Sequence, residues 1–191
     1  SDAVRDRLFA ELAEWVRAND IPAHQYRYGD DPEQLAELRL PAGPGPHSVI
    51  TLIHGGNWRA GVSRTSTDAL AIDLVDRGWA TWNVEYRRVG NGGGLSTTSS
   101  DIIAAVRMLG GISTVDANRV VILGHSSGGQ LALRAARAAD AAAVVSVAGY
   151  CDLREAARLG LGDGGAGAFL RALPAAVHRI AQRRGPPSRL P

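Results

Sequence analysis

One stretch, residues 119–138, constrains the fold more than any other part of the chain. An apolar, β-branched run, Arg119–Leu123, leads into Gly124-His125-Ser126-Ser127-Gly128, and an Ala- and Leu-rich segment, Ser127–Ala138, follows directly. The first run predicts a buried strand and the last predicts a helix. A strand that passes into a helix through G-x-S-x-G is typical of a sharp turn that lifts the middle serine above the edge of a parallel sheet.

The spacing of apolar residues predicts that helices and strands alternate along the chain. Helices are expected over residues 3–18, 66–77, 98–109, 127–138 and 152–160, and strands over residues 33–40, 48–53, 79–86, 119–123 and 142–148. Such alternation builds a mostly parallel sheet with right-handed crossovers and flanking helices. At 191 residues the chain has the length of one domain. The sequence therefore predicts a single α/β domain.

Charge and composition argue against several classes of partner. Residues 1–163 hold 16 arginines against 19 acidic residues, whereas residues 164–191 hold five arginines and no acidic residue. The positive charge is thus confined to the C-terminal part, and aromatic residues are too scarce to stack on bases, so no nucleic-acid partner is expected. No apolar run reaches the roughly 18–20 residues that a membrane span needs.

The cysteine and histidine content indicates a reducing compartment and no bound metal. The single cysteine, Cys151, and the absence of a recognisable leader segment favour the cytoplasm. No Cys/His cluster has the spacing of a metal site, and the chemistry considered below needs no cofactor.

Ser126 is the candidate nucleophile because it is the middle residue of the predicted turn. A serine hydroxyl is weakly nucleophilic at neutral pH and needs a general base beside it. The neighbouring His125 is expected to flank the substrate pocket rather than to take the serine proton.

A second motif, His54-Gly55-Gly56-Asn57-Trp58, follows the predicted strand 48–53. Two glycines allow a loop to bring backbone N–H groups into a cavity that a side chain would block. Such donors stabilise the oxyanion of acyl transfer, together with the N–H of the residue after the nucleophile. The sequence predicts an oxyanion hole formed by Gly56, Asn57 and Ser127, with His54, Gly55 and Trp58 supporting the loop.

These two motifs, in this order and separated by β-α units, resemble the esterase/lipase branch of the α/β-hydrolase fold that carries HGGxW and GHSxGG. The chain is particularly similar to kynurenine formamidase-like and carbohydrate-ester esterase-like members. The strand end Glu85-Tyr86-Arg87 matches the "EYR" that these proteins place beside the oxyanion loop. The resemblance covers residues 1 to about 163, and it implies that Tyr86 and Arg87 support the loop.

The resemblance also implies a catalytic acid and a histidine that come later in the chain, in that order. Only 65 residues follow Ser126, and His178 is the only histidine among them. A pairing of Asp152 with His178 is a weak substitute, because Asp152 comes one or two strands early and no strand precedes His178.

The C-terminal composition suggests that the family's pattern is interrupted. Residues 164–191 are Gly/Ala-rich and then Arg/Pro-rich. We therefore expect an incomplete hydrolase core over residues 1–163 that lacks the last strands of the usual sheet. Residues 164–191 would be a disordered or non-native tail of a truncated or frame-shifted gene, and the product would fold poorly or aggregate.

Two functions remain open at this point. The first is a serine hydrolase that cleaves a small carboxylic ester or aryl amide, with aromatic or small acyl groups favoured if Trp58 and Trp82 lie near the site. The second is an inactive remnant of such a hydrolase, without the acid and histidine of the triad.

Overall fold

The computed structural model describes residues 2–172, which form a six-stranded sheet with helices on both faces. The strands are β1 (His24–Arg27), β2 (Leu35–Arg39), β3 (His47–Ile53), β4 (Ala80–Val84), β5 (Val115–His125) and β6 (Ala143–Val147). Their order in the sheet is β1-β2-β4-β3-β5-β6. The pairs β1–β2 and β2–β4 are antiparallel, and β4, β3, β5 and β6 are parallel. The mostly parallel α/β architecture is thus confirmed.

Six α-helices connect and flank these strands. They are α1 (Asp2–Ala18), α2 (Asp68–Asp76), α3 (Leu95–Met108), α4 (Ser127–Ala136), α5 (Leu153–Arg158) and α6 (Gly165–Arg171). Short 3-10 turns precede α2, at Arg64–Thr67, and follow α3, at Leu109–Gly111. The sequence predicted every helix except α6 and every strand except β1, with ends shifted by a few residues.

The alternation of side chains along β3 divides the core between the two faces of the sheet. Val49 and Ile53 belong to the larger cluster, which includes buried residues of α3 and α4. Ile50 and Leu52 point to the other face and pack against Ala71 of α2. A parallel strand covered on both faces is continuously apolar, which is why β3 was recognisable in the sequence.

The sheet of the described residues ends at β6, and this strand is poorly covered. Val144, Val145 and Val147 are 37%, 42% and 45% exposed. The strands that would follow β6 in the family's usual sheet are the ones that the sequence predicted to be missing. An uncharged edge strand with exposed valines is a template for pairing with another strand.

The packed core extends beyond residue 163, where the sequence suggested that it ends. Helix α6 lies within the predicted tail, and its Phe169 is fully buried. The helix can pack closely because Gly165, Ala166 and Gly167 are small and buried. The remainder of the predicted tail, residues 173–191, and with it His178, lies outside the described residues.

Candidate active site

Ser126 occupies a strained turn between β5 and α4. Its backbone angles are φ 55° and ψ −123°, which is an unusual conformation for a residue with a side chain. Its N–H donates to the carbonyl of Val147 at 2.8 Å, and its carbonyl accepts from the N–H of Gly129 at 3.0 Å. Backbone strain of this kind costs on the order of 1–3 kcal/mol and persists where neighbouring contacts enforce it. The turn leaves Ser126 half-buried at the carboxyl edge of the parallel strands.

The two glycines of the G-x-S-x-G motif allow this turn to close. A Cβ atom on Gly124 would overlap the backbone of Gly128 and lie 2.7 Å from the nitrogen of Gly129. A Cβ atom on Gly128 would overlap the carbonyl oxygens of Ile53 and His54 at the end of β3. The motif therefore brings the start of α4 against both the strand before it and the neighbouring strand.

The loop after β3 lies directly beside Ser126. A Cβ atom on Gly55 would be 3.2 Å from the Cβ of Ser126 and 3.0 Å from the carbonyl oxygen of His125. The next three residues, Gly56, Asn57 and Trp58, have φ angles of 114°, 53° and 58°. We call residues 54–58 the oxyanion loop, after the role predicted for it. Three consecutive left-handed residues give it a tight curl.

The oxyanion loop and the start of α4 are joined through Ser127. This side chain is fully buried, and its hydroxyl accepts the N–H of Trp58 at 3.4 Å. Ser127 is also the first residue of α4, so its own N–H has no acceptor within the helix. The structure thus brings together the predicted nucleophile and the three residues predicted to donate N–H groups, Gly56, Asn57 and Ser127.

His54 is fully buried and both of its ring nitrogens are engaged. Nδ1 lies 2.7 Å from the carbonyl oxygen of Gly55, and Nε2 lies 2.9 Å from Oε1 of Glu85. The ring stacks on Tyr86 with centroids 4.4 Å apart, and the Tyr86 hydroxyl donates to the His54 carbonyl at 2.7 Å. Burial, and then the nearby Glu85 carboxylate, raise the pKa of Tyr86, so this hydroxyl keeps its proton. His54 and Tyr86 therefore hold the loop from behind.

Glu85 is a buried carboxylate at the centre of this support. Besides His54, it accepts the N–H of Arg64 at 3.0 Å and that of Tyr86 at 3.1 Å. Arg88 lies 3.1 Å from the same carboxylate. Burial alone raises the pKa of Glu85, but the hydrogen bond from His54 and the neighbouring donors and charges together lower it below its usual range.

Arg88 connects this carboxylate to the chain that follows the oxyanion loop. Its guanidinium donates to the carbonyl of Val62 and pairs with the carboxylate of Glu33. Sequence reasoning missed both Glu85 and Arg88, because charged residues are usually exposed. The "EYR" resemblance marked the position of Glu85 without giving it a role.

The match to a family model covers most of this site and of the sheet. The BD-FAE model matches residues 37–157, which is more than half of the chain and includes the end of β2 and all of β3 to β6. The chain belongs to the BD-FAE family.

Solved structures with the same fold include several esterases. The chain superposes on a proposed thioesterase from Silicibacter sp. tm1040 with a TM-score of 0.69 and 24% identity, over 93% of this chain and 66% of that chain. Esterase B from Lactobacillus rhamnosis, inhibited by a tributyrin phosphonate, gives 0.61 and 24% over 88% and 62%. Thermogutta terrifontis esterase 2, phosphonylated by sarin, gives 0.64 and 20% over 81% and 66%. No curated protein sequence matches the chain.

These likenesses show the α/β-hydrolase fold. The BD-FAE chain spans about two thirds or less of the length of each of these structures.

In this BD-FAE chain, Trp58 anchors the oxyanion loop to α6 rather than lining a pocket. Its fully buried ring stacks on Phe169 at 5.3 Å, lies 5.6 Å from Tyr150, and donates to Gln130 at 3.3 Å. Trp82 lies in the sheet core and donates to the carbonyl of Ala105 at 3.0 Å. Both indoles are fully buried in packing contacts, so they give no indication of the acyl group.

The glycine-rich segment before α6 packs onto the other side of the oxyanion loop. A Cβ atom on Gly162 would lie 2.7 Å from Oδ1 of Asn57, and one on Gly165 would lie 2.8 Å from the Asn57 carbonyl oxygen. Arg59 donates to the carbonyl of Asp163 at 2.7 Å. The segment therefore supports a predicted oxyanion residue, which composition alone could not reveal.

Two further residues singled out in the sequence have structural roles. Arg87 binds Asp101 of α3 through its backbone N–H and its guanidinium, at 2.6–3.1 Å, so it anchors α3 rather than the oxyanion loop. Asp152 is the N-cap of α5 and accepts the N–H of Glu155 at 2.9 Å.

Within residues 2–172, no group of three or more His, Cys, Asp and Glu side chains is arranged to hold a metal ion. None of the helices in this described range has the length and apolar character needed to cross a membrane.

Proposed function

We propose that the chain carries the nucleophile and oxyanion hole of a serine hydrolase that acts on a small carboxylic ester or aryl amide. The observation that carries the proposal is the contact between Gly55 and Ser126: a Cβ atom on Gly55 would lie 3.2 Å from the Cβ of Ser126, which is closer than ordinary van der Waals contact. A loop pressed this closely against a strained serine can present N–H groups to an oxygen bound beside the serine hydroxyl.

In the proposed reaction, the Ser126 oxygen attacks the carbonyl carbon and its proton passes to a general base. The carbonyl oxygen becomes an oxyanion that accepts the N–H groups of Gly56, Asn57 and Ser127. The carbon–oxygen or carbon–nitrogen bond of the substrate then breaks, and the leaving group takes the proton. Water hydrolyses the acyl-serine and restores the free hydroxyl.

Family membership and the fold support this reaction class. Two solved structures of the same fold are an esterase inhibited by a tributyrin phosphonate and an esterase phosphonylated by sarin. Phosphonates react with activated serine nucleophiles and mimic the tetrahedral intermediate of acyl transfer. The proposal includes a cytoplasmic location, a small-molecule substrate, and no requirement for a cofactor.

The proposal assigns the nucleophile and the oxyanion donors but no general base. Residues 2–172 contain four histidines: His54 is engaged behind the loop, His24 and His47 begin β1 and β3, and His125 is exposed at the end of β5, directly before Ser126. His47 is thus at the end of its strand opposite to the serine. Asp152 caps α5 with its Oδ1 atom. The possible partner His178 lies outside the described residues.

A second candidate is a catalytically inactive chain that keeps the fold of a hydrolase. The exposed valines of β6 favour it, because in a complete sheet such side chains are covered by neighbouring elements. This candidate predicts a folded chain whose Ser126 is not activated.

A fluorophosphonate probe separates the two candidates. We expect the wild-type chain and the Ser100→Ala variant to be labelled, since Ser100 is exposed on α3, and the Ser126→Ala variant to remain unlabelled. Mass spectrometry of the labelled peptide identifies the modified residue. A wild-type chain that melts cooperatively but takes no label would favour the inactive candidate, and label that persists in Ser126→Ala would refute the assignment of Ser126.

A further inference from the structure

A groove of about 500 Å³ lies between α1 and the segment that leads into α2. Both of its walls are mostly apolar, with Leu12, Ala13 and Val16 on α1 and Gly61, Val62 and Ala69 opposite. We call this space the α1–α2 groove. Sites for small molecules have volumes of about 300–1,000 Å³ and are lined mainly by apolar side chains, so the groove has the size and the lining of such a site.

The α1–α2 groove begins beside the oxyanion loop, and Val62 joins the two. A Cβ atom on Gly56 would lie 2.7 Å from the Cβ and 3.0 Å from Cγ2 of Val62, so this side chain rests against a predicted oxyanion donor. Val62 also lines the groove. A substrate whose carbonyl oxygen is held by the oxyanion loop can therefore extend a chain past Val62 into the groove.

The position of the groove in the fold agrees with such a use. Residues 54–67 join the end of β3 to the start of α2, so the wall that they form lies at the carboxyl edge of the parallel strands, as Ser126 does. Open parallel sheets bind their ligands in the crevice outside this edge.

One wall of the groove is fixed in place before a ligand binds. The buried guanidinium of Arg88 donates to the carbonyl of Val62, and the N–H of Ala60 donates to the carbonyl of Val89 at 3.0 Å. A wall that is already ordered loses little conformational entropy on binding.

The hydroxyl groups along the groove bind one another rather than facing a ligand. The hydroxyls of Ser63 and Thr65 lie 2.8 Å apart, and the Ser66 hydroxyl donates to the carbonyl of Ser63 at 2.9 Å. These bonds belong to the turn that precedes α2. A ligand in the groove is therefore not required to supply hydrogen bonds to them.

The two charged residues that border the groove are also provided for. The carboxylate of Asp68 accepts the side-chain N–H of Asn83 at 3.0 Å and lies 3.6 Å from the guanidinium of Arg39. Arg17 is exposed in the last turn of α1, so water solvates its guanidinium. What the groove leaves uncovered is apolar surface, since Leu12 and Val62 are both exposed.

We propose that the α1–α2 groove binds an unbranched apolar chain of the ester substrate, so that the chain prefers medium-chain esters to acetyl or butyryl esters. This proposal rests on the proposed function for the reaction that it serves, although binding to the groove can be measured without catalysis. The apolar chain belongs either to the acyl group or to the alcohol of the ester, and both are tested below.

Methyl NMR spectra of the Ser126→Ala variant test binding alone. This variant lacks the nucleophile, so methyl octanoate serves as a probe that is not consumed. We expect the methyl signals of Leu12 and Val62 to shift and saturate on titration, with smaller shifts for methyl butyrate. Leu133 on α4 is the reference, because it is 39% exposed and Leu12 is 40% exposed. Equal shifts at Leu133, or none at Leu12 and Val62, would overturn the proposal.

Two series of esters test the preference in the wild-type chain. One varies the acyl group of p-nitrophenyl esters from butyryl to octanoyl, and the other varies the alcohol of alkyl acetates from butyl to octyl. Full burial of one methylene group contributes about fourfold, and the groove is open to solvent, so we expect kcat/KM to rise at least about tenfold along one series. A flat or falling profile in both series would overturn the proposal.

A matched pair of variants locates the preference in the groove. Leu12→Glu places a charge against the apolar chain and should abolish the rise with chain length, whereas Leu133→Glu should retain it. Melting temperatures show whether both variants are folded. A rise that survives in a folded Leu12→Glu variant would place the chain elsewhere and overturn the proposal.

Failure of the proposed function gives a different pattern of results. A wild-type chain that hydrolyses no ester and takes no fluorophosphonate label would refute the proposed function. The NMR titration would still decide whether the groove binds an apolar chain.

Discussion

The contact between Gly128 and the end of β3 offers a sharp test of how the site is assembled. Gly128 lies in the first turn of α4, and its Cα faces the backbone of Ile53 and His54. In Gly128→Ala, the new Cβ would overlap both carbonyl oxygens and lie 2.8 Å from the carbonyl carbon of His54. The obstacle is backbone, which no side-chain rotation can relieve.

The size of the effect follows from that distance. Carbon atoms pack at about 3.5–4.0 Å, so α4 and the oxyanion loop must move apart by about 1 Å. Overpacking of this kind costs about 1–3 kcal/mol of stability, while the better helix propensity of alanine returns about 1 kcal/mol. A misplacement of about 1 Å in an active site can lower the rate about 100-fold. We therefore expect a modest loss of stability and a large loss of reactivity.

The assay measures the rate of fluorophosphonate labelling of Ser126 together with the melting temperature. Gly110→Ala is the matched control, because a Cβ on Gly110 meets nothing within 4 Å and its φ is not left-handed. This control should react like wild type. If Gly128→Ala is folded and labels at the wild-type rate, the contact with β3 does not set the geometry of the site.

Three further predictions concern the supports of the oxyanion loop. Gly162→Ala and Gly160→Ala both place alanine at a φ of 65°, so each variant should lose about 1 kcal/mol of stability. Only the Cβ of Gly162→Ala would contact Asn57 of the oxyanion loop, so only this variant should be labelled more slowly by the fluorophosphonate. Phe169→Ala removes the fully buried partner of Trp58 and should lower the free energy of unfolding by about 3–5 kcal/mol in denaturant titration; an unchanged midpoint would show that α6 is not packed there. The lowered pKa of Glu85 means that its carboxylate stabilises the fold above the ordinary glutamate range and loses this effect as pH falls through the lowered value. The melting temperatures of wild type and Glu85→Gln should thus differ most at neutral pH and converge in acid. A difference that stays constant with pH would contradict a lowered pKa of Glu85.

Local motifs in the sequence predicted the strand, the turn and the helix around Ser126. These elements adjoin in the chain, so their own residues carry the signal directly. The sequence also predicted β3 and the loop after it, because a buried parallel strand is a continuous apolar run. What these motifs could not predict is how closely Gly55 approaches Ser126, since that contact joins two distant parts of the chain.

The residues that support the oxyanion loop were harder to predict, because residues of these types usually lie on the surface or in flexible segments. Glu85 and Arg88 are charged, and a pattern of hydrophobicity assigns such residues to the surface, yet both are almost fully buried. Helix α6 is rich in glycine and alanine, which suggests a flexible segment, although the small side chains are what allow it to approach the oxyanion loop. Strand β1 has the sequence His24-Gln25-Tyr26-Arg27, in which a single apolar residue gives no alternating pattern.

A crystal structure of the chain after reaction with a small alkyl fluorophosphonate would test the proposed site directly. We expect a phosphorus–oxygen bond to Ser126 and a phosphoryl oxygen within hydrogen-bond distance of the N–H groups of Gly56, Asn57 and Ser127. An adduct on another residue, or a phosphoryl oxygen directed away from residues 54–58, would contradict the proposed site.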